Sequence, residues 1–576
     1  MAADISHQTE VESMEGKGSK GSDIESPVKN SSIEEQEPEP IVTRKTWGCV
    51  VFLSCGYGLS FWPIPVMAVI AGDVASEMGN PSKFVWYIPA WTIAITICFM
   101  LCGANTDLLG RRWFLVLGNL ICCVGHILIA CAKSNTMVIT GMAITGFGGA
   151  NCQMAAFALS ELLPNKWRHN GVVLADATTL MAVILGPITG RYGFQSGNWH
   201  WNFSAAAICQ FLTFLGLYIL YFPPAHPYGI SKRKLLKELD YIGGLLFIAG
   251  CLPILMGIVW TNTYPASDPH VYASLAIGFF FMTGFGLWET YGGSKHPLTP
   301  TYVFTSSFGR DFTAPAIALG VVNMFYYSSS ILWPTMTNVF YLSGPSDWRY
   351  AILLSLPPGI AITFGALLLS AFGSILRKWH WQLTGSVTIM VIFGSLLALV
   401  TPTNKAAMIA YVFISQSGYG WAIYLSIAVT QMGVEHKDLG ISGGIAGVFR
   451  FAAGSIAAAI YTTILGNTTS KKIGVLVPEA VIKAGLPASQ VNELLGYLQT
   501  NSAAMSKYSE PVVAAATAAF KESYVHGIRL VALASMAFGI VGIMACLCCK
   551  DVDSKMTNKI EVYLENDELA SRNMYH

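Results

Sequence analysis

Fourteen apolar stretches, each close to the ~20 residues that an α-helix needs to cross the hydrocarbon core of a bilayer, constrain this chain more than any other feature. They lie at 47–71, 84–105, 113–132, 137–160, 171–191, 201–222, 242–262, 271–291, 314–341, 350–373, 382–400, 407–431, 440–465 and 525–549. Without water, every backbone polar group must be paired inside the span, which leaves helices or a closed barrel. Runs of this length are helical, so the expected fold is all-α and polytopic, with 14 transmembrane helices. A mean hydropathy of +0.51 and a charged fraction of only 12% exclude a soluble globular class. The formal net charge of +1 gives no electrostatic footprint for nucleic acid.

An even number of spans puts both termini on one side. The loops on that side carry Arg111, Arg112, Lys166, Arg168, Lys232, Arg233, Lys234, Lys237, Lys295, Arg310, Arg377, Lys378 and Lys437, whereas the opposite loops carry Lys83, Lys133, Arg191, Arg349 and Lys405. Short cytoplasmic loops hold the excess of Lys and Arg. Both termini are therefore expected in the cytoplasm, with the plasma membrane as the site and a vacuolar or vesicle membrane as the alternative.

The spans divide the chain. Residues 1–46, rich in Glu, Ser, Lys and Gly, read as a disordered cytoplasmic tail with no secretory signal. Residues 47–222 form a first six-helix bundle, 223–313 linker segments with two extra helices, 314–549 a second six-helix bundle, and 550–576 a second cytoplasmic tail. Within 223–240, ISKRKLLKEL reads as a basic surface helix. The long outer loop 466–524 is expected to hold short helices over the mouth of the protein, and its sequon Asn467-Thr468-Thr469 sits too near a span to favour glycosylation. All thirteen cysteines lie in or beside apolar runs, which points to packing rather than a disulfide framework or metal site, with Cys548-Cys549 a weak palmitoylation candidate. No metal and no cofactor is expected, and no G-x-x-x-x-G-K-[ST] loop offers ATP a seat.

Chemistry is concentrated in two motifs. The loop after the second span reads GANTDLLGRR, with Gly103, Asp107, Gly110, Arg111 and Arg112; Glu161 and Arg168 flank the same side of the fourth span as natural ionic partners for Arg111 or Arg112 and for Asp107. The fifth span contains Gly186-Pro187-Ile188-Thr189-Gly190, which predicts a bend and close packing near its outer end. Small-residue stripes at Gly141, Thr145, Gly149 and Cys152, and at Gly440, Gly443, Gly444, Gly447 and Gly454, are explained by helix packing.

Together the two motifs resemble the major facilitator superfamily, in its fourteen-span drug:proton antiporter branch. YGLSFWPIP at 57–65, SELLPNKWR at 160–168 and the long last outer loop resemble the fungal trichothecene efflux pumps, which neighbour the fungal siderophore transporters. The resemblance implies two six-helix bundles plus two inserted helices. It makes the first motif a charge lock between inward- and outward-open states, and the second an antiporter signature. Two positions depart from it: Met142 replaces the arginine that relatives use in proton transfer, and Arg191 replaces a glycine.

Coupling is therefore sought in other ionisable groups. Arg450, some ten residues into the thirteenth span, must point into the bundle, because a charge facing lipid costs several kcal/mol. Asp176 in the fifth span is a proton carrier or the buried partner of a base, and His126 in the third titrates in the right range but is more simply a packed residue. Asp73, at the outer end of the first span, reads as solvated. Tyr57, Phe61 and Trp62, with Pro63 and Pro65, bring aromatic faces and helix breaks into the first span, which suits a bulky ligand. The reading is a secondary transporter and not an enzyme: a monomer in the bilayer that exports hydrophobic or amphipathic toxins, drugs or secondary metabolites against protons. Proton-coupled uptake of ferric siderophores and a non-transporting receptor are the alternatives.

Overall fold

The computed structural model describes residues 42–224, 237–342, 344, 347–500 and 507–573. Most of the expected first tail and residues 225–236 of the basic segment lie outside these. Among the described residues every regular element is a helix.

Thr43 caps the first helix through its hydroxyl, so α1 spans Arg44–Phe61 and starts slightly earlier than its apolar run. The chain then breaks at Trp62, because Pro63 has no N–H to continue the ladder, and α2 resumes at Pro63–Glu77. Next come α3 (Tyr87–Leu109) and α4 (Arg111–Ala130), joined by Gly110 alone. That glycine has φ +87°, a conformation that a side chain resists. The expected fourth span splits at Met154 into α5 (Asn135–Gln153) and α6 (Ala155–Leu162), and the fifth splits at Asp176 into α7 (Arg168–Ala175) and α8 (Ala177–Gln195). The first bundle closes with α9 (His200–Leu220).

Among the described residues, thirteen helices are long and apolar enough to cross a membrane. The fourteenth expected span is α5, whose glycines, threonines and amides dilute its apolarity. Its neighbours explain this composition: a Cβ on Gly148 would lie 2.8 Å from the Gly118 carbonyl of α4, and one on Gly146 would lie 2.4 Å from the Trp91 carbonyl of α3. A helix wedged this tightly between two others gives up large side chains for close approach.

The inserted pair, α10 (Tyr241–Trp260) and α11 (Pro269–Tyr291), packs on itself and leans on α3. The second bundle contains α12 (Thr313–Met336), α13 (Trp348–Leu376), α14 (Trp379–Ser395), α15 (Lys405–Met432), α16 (Leu439–Lys483) and, after the short α17 (Val491–Thr500), α18 (Glu510–Cys548).

Of the short helices expected in the long loop, α17 is present, but most of the loop is not made of separate helices. The two flanking spans run on instead, 45 residues in α16 and 39 in α18, or about 68 and 59 Å against a core of about 30 Å. Their extensions, with α17, form a turret with its own core of Ile473, Val477, Val481, Leu494, Val512 and Ala516. Gly485, at φ +98°, stops α16 with Leu486 N–H returning to the Val481 carbonyl. Asn467 sits inside the continuous α16 and Thr469 is buried, poor geometry for a glycan acceptor. The turret defines one face of the molecule; the opposite face carries GANTDLLGRR and is called the lock face below. The last segment also differs from a free tail: residues 550–573 fold back across the lock face, with Leu564 fully buried.

Candidate functional site

The lock is assembled from four helices, α3, α4, α6 and α16. Asp107, in the last turn of α3, accepts hydrogen bonds from the backbone N–H groups of Gly440 (2.9 Å) and Ile441 (2.8 Å). These belong to the first turn of α16, where N–H groups lack partners within the helix and the dipole favours an anion. Arg111 holds the carboxylate from the other side at 3.1 Å and forms a close ion pair with Glu161 of α6, and His436 Nδ1 lies 3.4 Å from Glu161. Deeper along the crossing, a Cβ on Gly103 would stand 2.6 Å from Gly444 Cα. The two bundles therefore touch backbone to backbone, and the lock face is closed.

Two expected members do not join this cluster. Arg112 donates to the Tyr218 carbonyl at 3.0 Å and lies 3.7 Å over the Phe222 ring, held by α9 and its exit. Arg168 donates to Asn165 Oδ1 at 2.5 Å rather than reaching Asp107. Asp107 already has three donors, so a further cation has no geometry to satisfy. The backbone amides of Gly440 and Ile441 were not legible as partners, because a helix N-terminus in a distant span carries no side-chain signature.

The second cluster lies at mid-depth. Arg450 is 11 residues from the start of α16, about 16 Å along the axis and so near the centre of a ~30 Å core. Its Nη1 donates to Tyr57 Oη of α1 at 2.9 Å, and Asn323 Nδ2 of α12 donates to its carbonyl at 2.6 Å. Asp176, at the break between α7 and α8, accepts a hydrogen bond from Tyr424 Oη of α15 at 2.7 Å. Both side-chain bonds cross from one bundle to the other. The Arg450 charge acts on Asp176 and on Tyr57, yet no direct ion pair joins Arg450 to Asp176 among the described residues. Arg450 Nε, Asp176 Oδ1, Trp62 Nε1, Gln416 Nε2 and Trp421 Nε1 are buried without a hydrogen-bond partner. Tyr326 and Tyr419 stack at 5.2 Å in the field of Arg450 and Asp176.

The local sequence explains the placement. Gly58 lets α1 cross the start of α8 so closely that a Cβ would lie 2.5 Å from the Thr178 carbonyl carbon, which seats Tyr57 beside the Asp176 break. Phe61 packs edge-on against Trp91 at 5.7 Å, and Trp91 against Phe451 at 5.5 Å, an aromatic line leading to the residue next to Arg450. His126 is fully buried with Nε2 3.1 Å from the Leu59 carbonyl, apart from both clusters. The Gly186-Pro187-x-x-Gly190 motif packs α8 on α2: a Cβ on Gly186 would lie 2.9 Å from the Pro65 ring, and one on Gly190 3.2 Å from the Val66 carbonyl. Arg191 pairs with Asp73 at 2.7 Å, so neither is a lone charge. Tyr424, Tyr419 and Tyr326 were missed. The signal for them was a run in which Ser415, Gln416, Tyr419 and Tyr424 interrupt apolar residues mid-span.

Comparison with known proteins bears on this architecture. The family profile described as fungal trichothecene efflux pump matches residues 62–575. An MFS-type transporter of Penicillium rubens is 57% identical over 539 residues, covering 94% of this chain and 96% of the relative. A trichothecene efflux pump of Fusarium sporotrichioides is 22% identical over 526 residues, covering 89% of this chain and 88% of the relative. Among solved structures, the human organic anion transporter MFSD10 superposes with a TM-score of 0.50 at 13% identity, covering 86% of this chain and 99% of that one, a likeness of fold. The chain therefore belongs to the fungal trichothecene efflux pump family, multi-pass membrane transporters of the major facilitator superfamily.

Proposed function

We propose that this transporter exports a hydrophobic or amphipathic secondary metabolite from the cytoplasm in exchange for protons, with the lock face cytoplasmic and the bundles rocking about the mid-depth cluster as a monomer. The observation that carries the reading is the pair of bundle-crossing bonds, Arg450 to Tyr57 and Tyr424 to Asp176. Ionisable groups inside a membrane mark transport and proton pathways, and interrupted helices supply their sites. Asp176 faces only neutral hydroxyls, Tyr424 and Thr179, with an arginine in range, so its charge state and the position of Arg450 are linked. A proton arriving on Asp176 cancels its pull on Arg450; loss of that proton on the other side restores it. Any rocking strains both bonds at once, which ties protonation to the change of state. The unpartnered donors of Arg450, Trp62, Gln416 and Trp421 among stacked tyrosines suit a ligand with an apolar body and oxygen acceptors, and a trichothecene is the first probe to try.

Reconstituted vesicles with an imposed pH gradient test this. Probe movement opposite to the proton flow is expected, and Asp176→Asn should abolish the response to the gradient while the protein still folds. Movement with the proton flow would favour ferric siderophore uptake, and binding without movement a receptor. Wild-type coupling in Asp176→Asn would remove Asp176 from the mechanism.

A further inference from the structure

The folded-back C-terminal segment connects the two bundles in a way that restricts how the lock face opens. Its first part is fixed to the second bundle: Lys550 N–H donates to the Arg310 carbonyl at 3.3 Å, Asp551 meets His380 Nδ1 at 2.9 Å, and Lys555 Nζ donates to the Met432 carbonyl at the end of α15 at 2.6 Å. Its second part is fixed to the first bundle. Lys166 N–H donates to the Thr557 carbonyl at 2.7 Å, Asn165 N–H to the Lys559 carbonyl at 3.0 Å, Val562 N–H to the Glu161 carbonyl at 3.1 Å, and Glu565 N–H to the Phe222 carbonyl at 2.8 Å. Asp567 accepts from Thr43 at the start of α1, and Leu564 is buried as part of the main core.

The crossing runs from Lys555 to Thr557. Two residues span at most about 7 Å when fully extended. A mouth that passes a ligand filling a pocket of 300 Å³ or more is at least about 8 Å wide, so an opening of that size must be taken up by this short crossing and the Lys555 side chain, and draws them taut while both attachments are made. The attachments are unequal. The first bundle holds the segment by four backbone bonds and the fully buried Leu564, whereas beyond Lys550 the hydrogen bonds to the second come from two side chains, with Val552 buried between them.

We propose that residues 550–573 are a latch on the lock face. It stays docked on the first bundle and lets go of the second at Lys555 and Asp551 each time that face opens. The latch tilts the resting population toward the closed lock face, and it places a control point of transport in the segment that follows the last span. It rests on the two faces opening in turn, and on nothing proposed above about substrate or protons.

Paired spin labels test it without either. Labels at Trp113→Cys and Lys378→Cys, in a full chain with Cys131, Cys209 and Cys548 changed to serine, report the separation of the bundles at the lock face. The full chain should give mainly the short separation. Ending the chain after Lys550, and separately Lys555→Gln with Asp551→Asn in the full chain, should each raise the long-separation fraction several-fold. If the shortened chain does not fold, the double substitution decides alone. Separations unchanged from the full chain in a folded variant would overturn the latch, whatever the vesicle assay returns.

Discussion

Replacing Asp107 by asparagine tests the lock at the atom that closes it. The carboxylate takes two backbone N–H groups from the first turn of α16, at 2.9 and 2.8 Å, and one guanidinium bond from Arg111 at 3.1 Å. Asparagine is nearly isosteric, so the fold is preserved, but only its carbonyl oxygen accepts. One charge-assisted bond is lost, worth about 2 kcal/mol, the other weakens to a neutral bond at a cost of about 0.5–1 kcal/mol, and the favourable charge at the helix N-terminus disappears for about 0.5 kcal/mol more. The sum, about 3 kcal/mol, acts only in the state with the lock face closed, because the amides belong to the second bundle and the carboxylate to the first. The closed-to-open ratio should fall roughly 100-fold. Spin labels at Trp113→Cys and Lys378→Cys would read this as a change from mainly short to mainly long separations. Glu161→Gln should shift the ratio less, since Arg111 keeps Asp107. An unchanged distribution in Asp107→Asn would refute the claim that these two amide bonds set the equilibrium.

Four other outcomes are expected. Gly444→Val puts a side chain where a Cβ already falls 2.7 Å from Gly103 Cα; it should prevent lock-face closure, costing about 1–3 kcal/mol or more, and lower transport in vesicles without lowering expression. Tyr424→Phe leaves Asp176 without its hydrogen-bond donor, so transport should drop about tenfold or more and its pH profile should move, with Tm little changed. Arg191→Gly breaks a pair whose aspartate is nearly half exposed and should cost at most about 1 kcal/mol, visible as a Tm shift of a few degrees or less. Half-burial opposes the charge on Glu561, but the Lys559 ammonium and Asn165 amide outweigh it and hold its carboxyl below the usual range; its contribution to latch docking is present above about pH 4.3 and lost as the pH falls below it, so the docked fraction should not change from this cause between pH 5 and 8.

The architecture was readable because a bilayer imposes length and apolarity on every span. Where the reading failed, partners came from a distant part of the chain. The composition of α5 is dictated by the backbones of α3 and α4, which leave room for nothing larger than glycine at Gly146 and Gly148. Asp107 stood out as a lock residue, but its partners are main-chain amides that any residue would supply. Arg112 and Arg168 were assigned to the lock by charge alone, but the Tyr218 carbonyl of α9 takes the first and the neighbouring Asn165 the second. In the loop at 466–524 the apolar spacing of Val491, Leu494, Leu495 and Leu498 did mark a short helix, α17, but Pro478, read as punctuation, lies inside the continuous α16. The segment at 550–576 read only as a cytoplasmic tail, because nothing in its sequence names the surface on which Ile560 and Leu564 are buried.

Lock and latch oppose the same separation through different partners: Asp107 holds the N-terminus of α16, and Lys555 the C-terminus of α15. They share no bonded atom, so their contributions to one closed-to-open equilibrium should add as free energies, within about 0.5 kcal/mol. Asp107→Asn combined with Lys555→Gln should then multiply the two single shifts in the ratio of short to long separations. A product well below that would mean that the latch already releases when the lock opens, and so senses the lock rather than the separation. A product well above it would mean that either device alone suffices to hold the face closed. Transport should not follow the product, because a lock face that no longer closes stalls the cycle at the opposite step. The double variant is therefore expected to be the most open at the lock face and the slowest exporter of the set.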